Sequence, residues 1–150
     1  MNATVPATSS PLREPAFAWP VRVYWEDTDA GGIVFYANYL KFFERARTEW
    51  LRSLGIDQHT LREQTGGMFV VSAADIQYHR PARLDDVLSI SAEMTESGRA
   101  SITIAQAATL GEQLLCQGNV RIGWVDARTL RPARIPDAIL HALQDPPRRN

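Results

Sequence analysis

Apolar and polar residues alternate from Trp19 to Trp25, with Val21, Val23 and Trp25 on one side and Pro20, Arg22 and Tyr24 on the other. A period of two marks a strand with one buried face. The next segment, Glu26-Asp27-Thr28-Asp29-Ala30-Gly31-Gly32, is a loop by composition, and its glycine pair opens backbone angles closed to other residues. From about Asn38 to Leu54 the period changes to three and four. Tyr39, Phe42, Phe43, Ala46, Trp50 and Leu54 share one helical face, while Lys41, Glu44, Arg45, Thr48, Glu49 and Arg52 lie mostly elsewhere. So aromatic a face predicts a deeply embedded helix. Gly55 is its expected stop. Asp57 is placed to cap a short second helix reaching about Gln64, which Gly66-Gly67 ends.

Four more strand-like runs follow. Phe69 to His79 is ended by Arg80-Pro81, because proline disfavours continuing a ladder. Val87 to Thr95 alternates most clearly, with Leu88, Ile90, Ala92 and Met94 against Ser89, Ser91, Glu93 and Thr95. Ser97-Gly98 turns into Arg99 to Leu110, with Ile102 and Ile104 inward, and Gly111-Glu112 turns into Gln113 to Val125. In that last run Leu114, Cys116, Val120, Ile122 and Trp124 are expected on one face. Pro136 to Leu143 reads as a short terminal helix. The order of strand, long helix and four strands predicts an α+β domain, a curved antiparallel five-stranded sheet wrapped around the helix. The domain is expected over residues 19–143, with flexible tails over 1–18 and 144–150. Exposed sheet edges predict pairing with a second copy.

Composition adds mainly exclusions. The chain has 150 residues, enough for one domain and its core. A formal net charge of -1 lacks the basic field of a dedicated nucleic-acid binder. With one cysteine, Cys116, no intrachain disulfide can form; it sits in an alternating apolar run with no base nearby, the setting of a small core residue rather than a nucleophile. No apolar run approaches the ~18 residues of a membrane span. Met1 to Pro20 has no basic segment followed by a long apolar one, so no secretory signal is read and the cytoplasm is expected. No spacing of His, Cys and carboxylates suggests a metal site, and no cofactor is expected.

The chemistry concentrates between Tyr24 and Arg47, YWEDTDAGGIVFYANYLKFFERAR. Asp29 stands on a Gly-rich loop just before the buried helix. A helix start presents unpaired N–H groups and partial positive charge. Such donors can polarise a carbonyl and hold an oxyanion. A carboxylate beside them can attack that carbonyl or activate a water. Acyl transfer can be built from these two parts alone. Spacing by itself fits a turn-forming or capping role for Asp29 equally well.

The stretch YWEDTDAGGIVFYANYLKFFERART, with IQYHRPARLDDVLSI (Ile76 to Ile90) and VRIGWVDARTLRPARIP (Val120 to Pro136), resembles the 4-hydroxybenzoyl-CoA thioesterase family of hotdog proteins, in particular its tol–pal system-associated acyl-CoA thioesterase branch. The resemblance covers about Val21 to Leu140. It implies hydrolysis of an acyl-CoA by a homodimer or homotetramer with sites at subunit interfaces. Asp29 matches the family's catalytic aspartate, acting as nucleophile or general base. The Tyr36 backbone N–H matches the group that polarises the thioester carbonyl. Gly31 and Gly32 would shape the loop, and Tyr39 would line the pocket. His79, Arg80 and Arg83 are candidates for the coenzyme A channel, with Arg128, Arg131 and Arg134 as further candidates for its phosphates. Position 36 departs from the branch, where histidine is frequent. A backbone role survives that change, and substrate preference is what it touches. Glu26 and Asp27 are expected to face solvent. Two alternatives stand beside hydrolysis of acyl-CoA: an acyl-carrier-protein thioester as substrate, and a weakly catalytic or non-catalytic partner protein of the cell-envelope or lipid-synthesis machinery. A hotdog dehydratase would show a His-containing motif that is absent here.

Overall fold

The computed structural model describes residues 15–144. Strand β1 (Ala18–Arg22) leads through two short 3-10 turns, Trp25–Asp27 and Tyr36–Asn38, into helix α1 (Tyr39–Ser53). Helix α2 (Gln58–Thr65) follows, then β2 (Gly67–Tyr78), β3 (Val87–Ser91), β4 (Glu93–Ser97), β5 (Ser101–Leu110), β6 (Gln113–Asp126) and α3 (Asp137–Gln144). The sheet is antiparallel throughout, in the order β1-β3-β5-β6-β2, with β4 paired to β5. This is the α+β hotdog arrangement, with six strands instead of the expected five. The difference lies in the run from Val87 to Thr95. Ala92 leaves the ladder, its N–H donating to the Phe17 carbonyl at 3.2 Å, so one predicted strand becomes β3 and β4 on the same flank of β5.

The predicted helical face is the buried one. Tyr39, Phe42, Phe43, Ala46 and Trp50 are all buried and belong to one core with Leu88, Ile90, Ile102, Ile104, Val120, Ile122 and Trp124 from the sheet. Each fully buried large apolar side chain contributes about 1.5–3 kcal/mol, so this face alone outweighs any local helix preference. On β5 the alternation is strict, with Ile102, Ile104, Gln106 and Ala108 inward. Gln106 is a polar exception that α1 accounts for. Arg47 Nη1 donates to its Oε1 at 3.0 Å, and its Nε2 donates to the carbonyls of Phe43 (3.0 Å) and Ser91 (3.2 Å). Burial pulls the Arg47 guanidinium below the usual arginine pKa, with Glu44 opposing the shift. The pair satisfies in the core what apolar packing could not.

Several boundaries differ from expectation. Trp25 is 79% exposed, because β1 stops at Arg22 and Trp25 opens a 3-10 turn. The expected tail over 1–18 falls mostly outside the described residues, but Phe17 is buried and Ala18 begins β1, so the domain starts before Trp19. At the other end α3 runs to Gln144, and residues 145–150 lie outside the described part. On β6 the pairing with β5 shifts at Leu115, so Leu115 and Cys116 are both buried and Leu114 is not. Asp57 caps α2 as expected, accepting from the N–H groups of His59 and Thr60. No helix of the described residues is long and apolar enough to cross a membrane.

Strands β2 and β6 approach so closely at Gly118 that a Cβ there would meet the Asp75 carbonyl oxygen at 1.9 Å. Backbone cannot retreat as a flexible side chain can. Gly118→Ala is therefore expected to destabilise the fold by roughly 1–3 kcal/mol or more, lowering Tm by several degrees in a thermal melt. An unchanged Tm would contradict the observed register.

Candidate active site

The loop after β1 folds back on itself as a small hairpin. The Phe35 N–H donates to the Asp27 carbonyl (3.1 Å), Thr28 bridges Val34, and the Asp29 N–H donates to the Ile33 carbonyl (2.9 Å). Gly32 closes the turn, its N–H reaching the Asp29 carbonyl at 3.0 Å. Its φ of 79° lies in the left-handed region, where a side chain would be strained. The outgoing arm then pairs with the segment before β3. Val34 N–H donates to Ala82 O (2.9 Å) and Ile33 bridges Arg83.

Where this arm meets α1, an apolar cleft of about 230 Å³ opens, lined by Ile33, Val34, Tyr36, Tyr39, Tyr78, His79, Arg80 and Pro81. Tyr36 starts the 3-10 turn that runs into α1, and no acceptor among the described residues pairs with its N–H. Its ring is 64% exposed. The buried Tyr39 hydroxyl accepts from the Ala82 N–H at 3.1 Å. Burial raises the Tyr39 pKa, with the Ala82 bond pulling the other way. The bulge at Leu115 delivers the far wall. Its carbonyl accepts from both His79 N–H (2.8 Å) and Arg80 N–H (3.1 Å), which ends β2 and turns the chain toward Pro81.

Of the residues expected at the site, Tyr36, Tyr39, His79 and Arg80 share this cleft. Asp29, Gly31, Gly32 and Arg83 are not in its lining; Asp29 and Arg83 are linked to it through Ile33, by the Asp29 N–H and the Arg83 bridge. The Asp29 carboxylate is not part of the lining. It is exposed and accepts from the Gly31 N–H at 2.8 Å, and a Cβ on Gly31 would sit 3.3 Å from it. Arg128, Arg131 and Arg134 do not join Arg80 and Arg83. They follow the end of β6 that pairs with Gly67, whereas Tyr78, beside His79, pairs with Cys116. Along an extended strand those ends are about 36 Å apart. Arg134 instead pairs with Asp137 at 3.5 Å.

Sequence reading missed two neighbours. Tyr78 donates its hydroxyl proton to the Tyr36 carbonyl (2.9 Å), and its ring meets those of Tyr36 and Tyr39 at 6.1 and 5.7 Å. Its place immediately before the expected His79 was the available signal. Asp27, expected in solvent, is 3% exposed. Its carboxylate accepts from the Tyr24 N–H (2.8 Å) and from Asn38 Nδ2 (2.9 Å). Glu26 is exposed, as expected. A larger hollow of about 800 Å³ on the outer face of the sheet includes Asp75, Ser89, Glu93 and Asn119 and none of the expected site residues.

A thioester site is what these parts can make, and the family confirms the class. The sequence matches the thioesterase-like superfamily over residues 23–143, and the chain belongs to that family. It is 43% identical over 132 residues to the acyl-CoA thioesterase YbgC of Haemophilus influenzae, covering 88% of this chain and 97% of that protein. It is 32% identical to the Helicobacter pylori (strain ATCC 700392 / 26695) acyl-CoA thioesterase YbgC, over 77% of this chain and 90% of that one. A crystal structure of a probable thioesterase from Bartonella henselae superposes with a TM-score of 0.76 at 35% identity, covering 81% of this chain and all 100% of that chain.

Cys116 is not a second nucleophile. Burial pushes its thiol up to about 12, against an ordinary value of 9.0. The native protein is therefore expected to resist thiol alkylation at pH about 8, while the unfolded chain reacts. Linkage gives the sign for stability. The unfolded chain loses this proton above its ordinary value while the folded chain keeps it, so stability is full below about pH 9 and falls as pH rises toward 12. Urea midpoints at pH about 8 and about 10.5 check this, and Cys116→Ala should shrink the difference between them.

Proposed function

We propose that the protein hydrolyses acyl-CoA thioesters, with the Tyr36 N–H as oxyanion donor and Asp29 as the catalytic carboxylate. The observation that carries this reading is the unpaired amide of Tyr36, a cleft-lining residue at the start of the turn into α1, with the Asp29 loop bonded to the cleft residue Ile33. The thioester oxygen accepts from the amide. The Asp29 carboxylate attacks the carbonyl carbon, or takes a proton from a water that does so. The C–S bond breaks, coenzyme A leaves as thiolate and is protonated, and the acyl group departs as the acid. The relatives' activity on acyl-CoA supports the substrate class. His79, Arg80 and Arg83 offer polar and cationic groups beside the cleft for the coenzyme A portion.

We further propose that the working form is a homodimer or a pair of dimers. Among the described residues β2 has one neighbour, β6, so its other edge of twelve residues presents unpaired backbone groups. Phe35, Tyr36 and Tyr78, at the cleft, are 50%, 64% and 46% exposed, a cluster of apolar rings that a second copy would cover. Light scattering coupled to size exclusion is expected to give a mass of two or four chains. A monomer with full activity would refute the assembly.

Two substitutions test the chemistry. Asp29→Asn is expected to lower kcat by about 1,000-fold or more in a free-thiol release assay, with Tm unchanged. Activity equal to wild type would remove Asp29 from the mechanism. For the amide, Phe35 has φ -59° and ψ 130°, the conformation a following proline requires. Proline is also tolerated at a first helical position. Tyr36→Pro therefore removes the donor with little cost to the fold, and kcat is expected to fall about 100-fold further than in Tyr36→Ala, which keeps the N–H.

A further inference from the structure

Asp27 lies between the three segments that set the direction of the Tyr36 amide. One carboxylate oxygen accepts from the Tyr24 N–H, at the exit of β1. The other accepts from the Asn38 side chain, in the turn that leads into α1. Its main-chain carbonyl accepts from the Phe35 N–H, the residue before Tyr36. The Asn38 N–H in turn donates to the Phe35 carbonyl at 2.8 Å. The peptide between Phe35 and Tyr36 is thus held from before and after by bonds that converge on one residue. That residue is buried, so water competes poorly for those bonds. Outside this ring of bonds, Tyr78 fixes the Tyr36 carbonyl.

We propose that Asp27 is a positioning residue whose carboxylate clasps Tyr24 to Asn38 and thereby aims the Tyr36 amide at the reacting carbonyl. The inference rests on that amide being the oxyanion donor. A solvent-facing acid in this loop would do no such work. Neither would a mere turn former, which would bond within its own loop and not to a side chain eleven residues on. Displacing a catalytic group by about 1 Å costs on the order of 100-fold in rate, so a fixed amide matters to turnover more than to substrate affinity.

The donor and acceptor pattern supplies the test. Asn38→Asp keeps the side-chain size but replaces the NH2 donor by a second carboxylate. Two carboxylates then face each other in a buried place, and neither can donate. Adding Asp27→Asn repairs the mismatch, since the new amide donates to the carboxylate at position 38 and still accepts from Tyr24. Kinetics are measured on an acyl-CoA that the wild type hydrolyses, alongside amide hydrogen exchange of the peptide covering residues 34–38. Asn38→Asp is expected to lower kcat about 100-fold with little change in KM, and to speed exchange in that peptide. The double variant should return kcat to within about tenfold of wild type and slow the exchange again.

A double variant no better than the single one would overturn the proposal. So would a folded Asn38→Asp with wild-type kcat and wild-type exchange. Faster exchange with wild-type kcat would overturn it by another route, showing that the clasp exists but the Tyr36 amide is not used. If Asn38→Asp fails to fold, Asn38→Ala removes one of the two side-chain bonds. A folded Asn38→Ala is then expected to show at least a tenfold loss in kcat at similar KM, and wild-type kcat would reject the proposal.

Discussion

The structure depends on the docking of one helix face onto one sheet face. Phe42, Phe43 and Ala46 have no exposed surface, and they share one core with Ile90 and Ile104, which have none either. Large apolar groups so enclosed tolerate no slippage, because interiors are packed like crystals. Helix α1 therefore cannot slide or rotate, and its first turn has one place. The 3-10 turn that holds Tyr36 runs directly into that first turn.

Polar contacts complete what packing begins. Asp27 with Asn38 secures the entry to the helix, and Arg47 with Gln106 pins its middle to β5. Both pairs are buried, and their bonds join segments far apart in the chain. A buried polar group carries a large penalty when it loses its partner, so each pair favours one arrangement over its neighbours more than it adds to total stability. The Asp29 loop shows the opposite economy of contacts. Asp29 is exposed and its carboxylate bonds within its own loop, which leaves it able to turn.

Period and punctuation in the sequence carried most of the fold. The aromatic face of α1, the alternation on β5 and the Asp57 cap are local patterns, and each was readable. What escaped was set by partners distant in sequence. Ala92 reads as one more inward strand residue, and only the Phe17 carbonyl takes it out of the ladder. Asp27 reads as an acid in a loop, and nothing near it announces Asn38. The arginines after β6 read as companions of Arg80 and Arg83, while the strand's length carries them to the opposite end of the β2–β6 pair. At the site itself the motif located Tyr36, Tyr39, His79 and Arg80 around one cleft. Tyr78 needed the fold, because its bond to the Tyr36 carbonyl spans 42 residues.

The group proposed to act at position 36 belongs to the main chain, whereas the ring at that position forms part of the cleft wall. The two duties are therefore separable. Exchanging the side chain reshapes the surface that meets the acyl group and leaves the amide where the helix puts it. A lineage built this way can drift in which acids it releases without first dismantling what releases them.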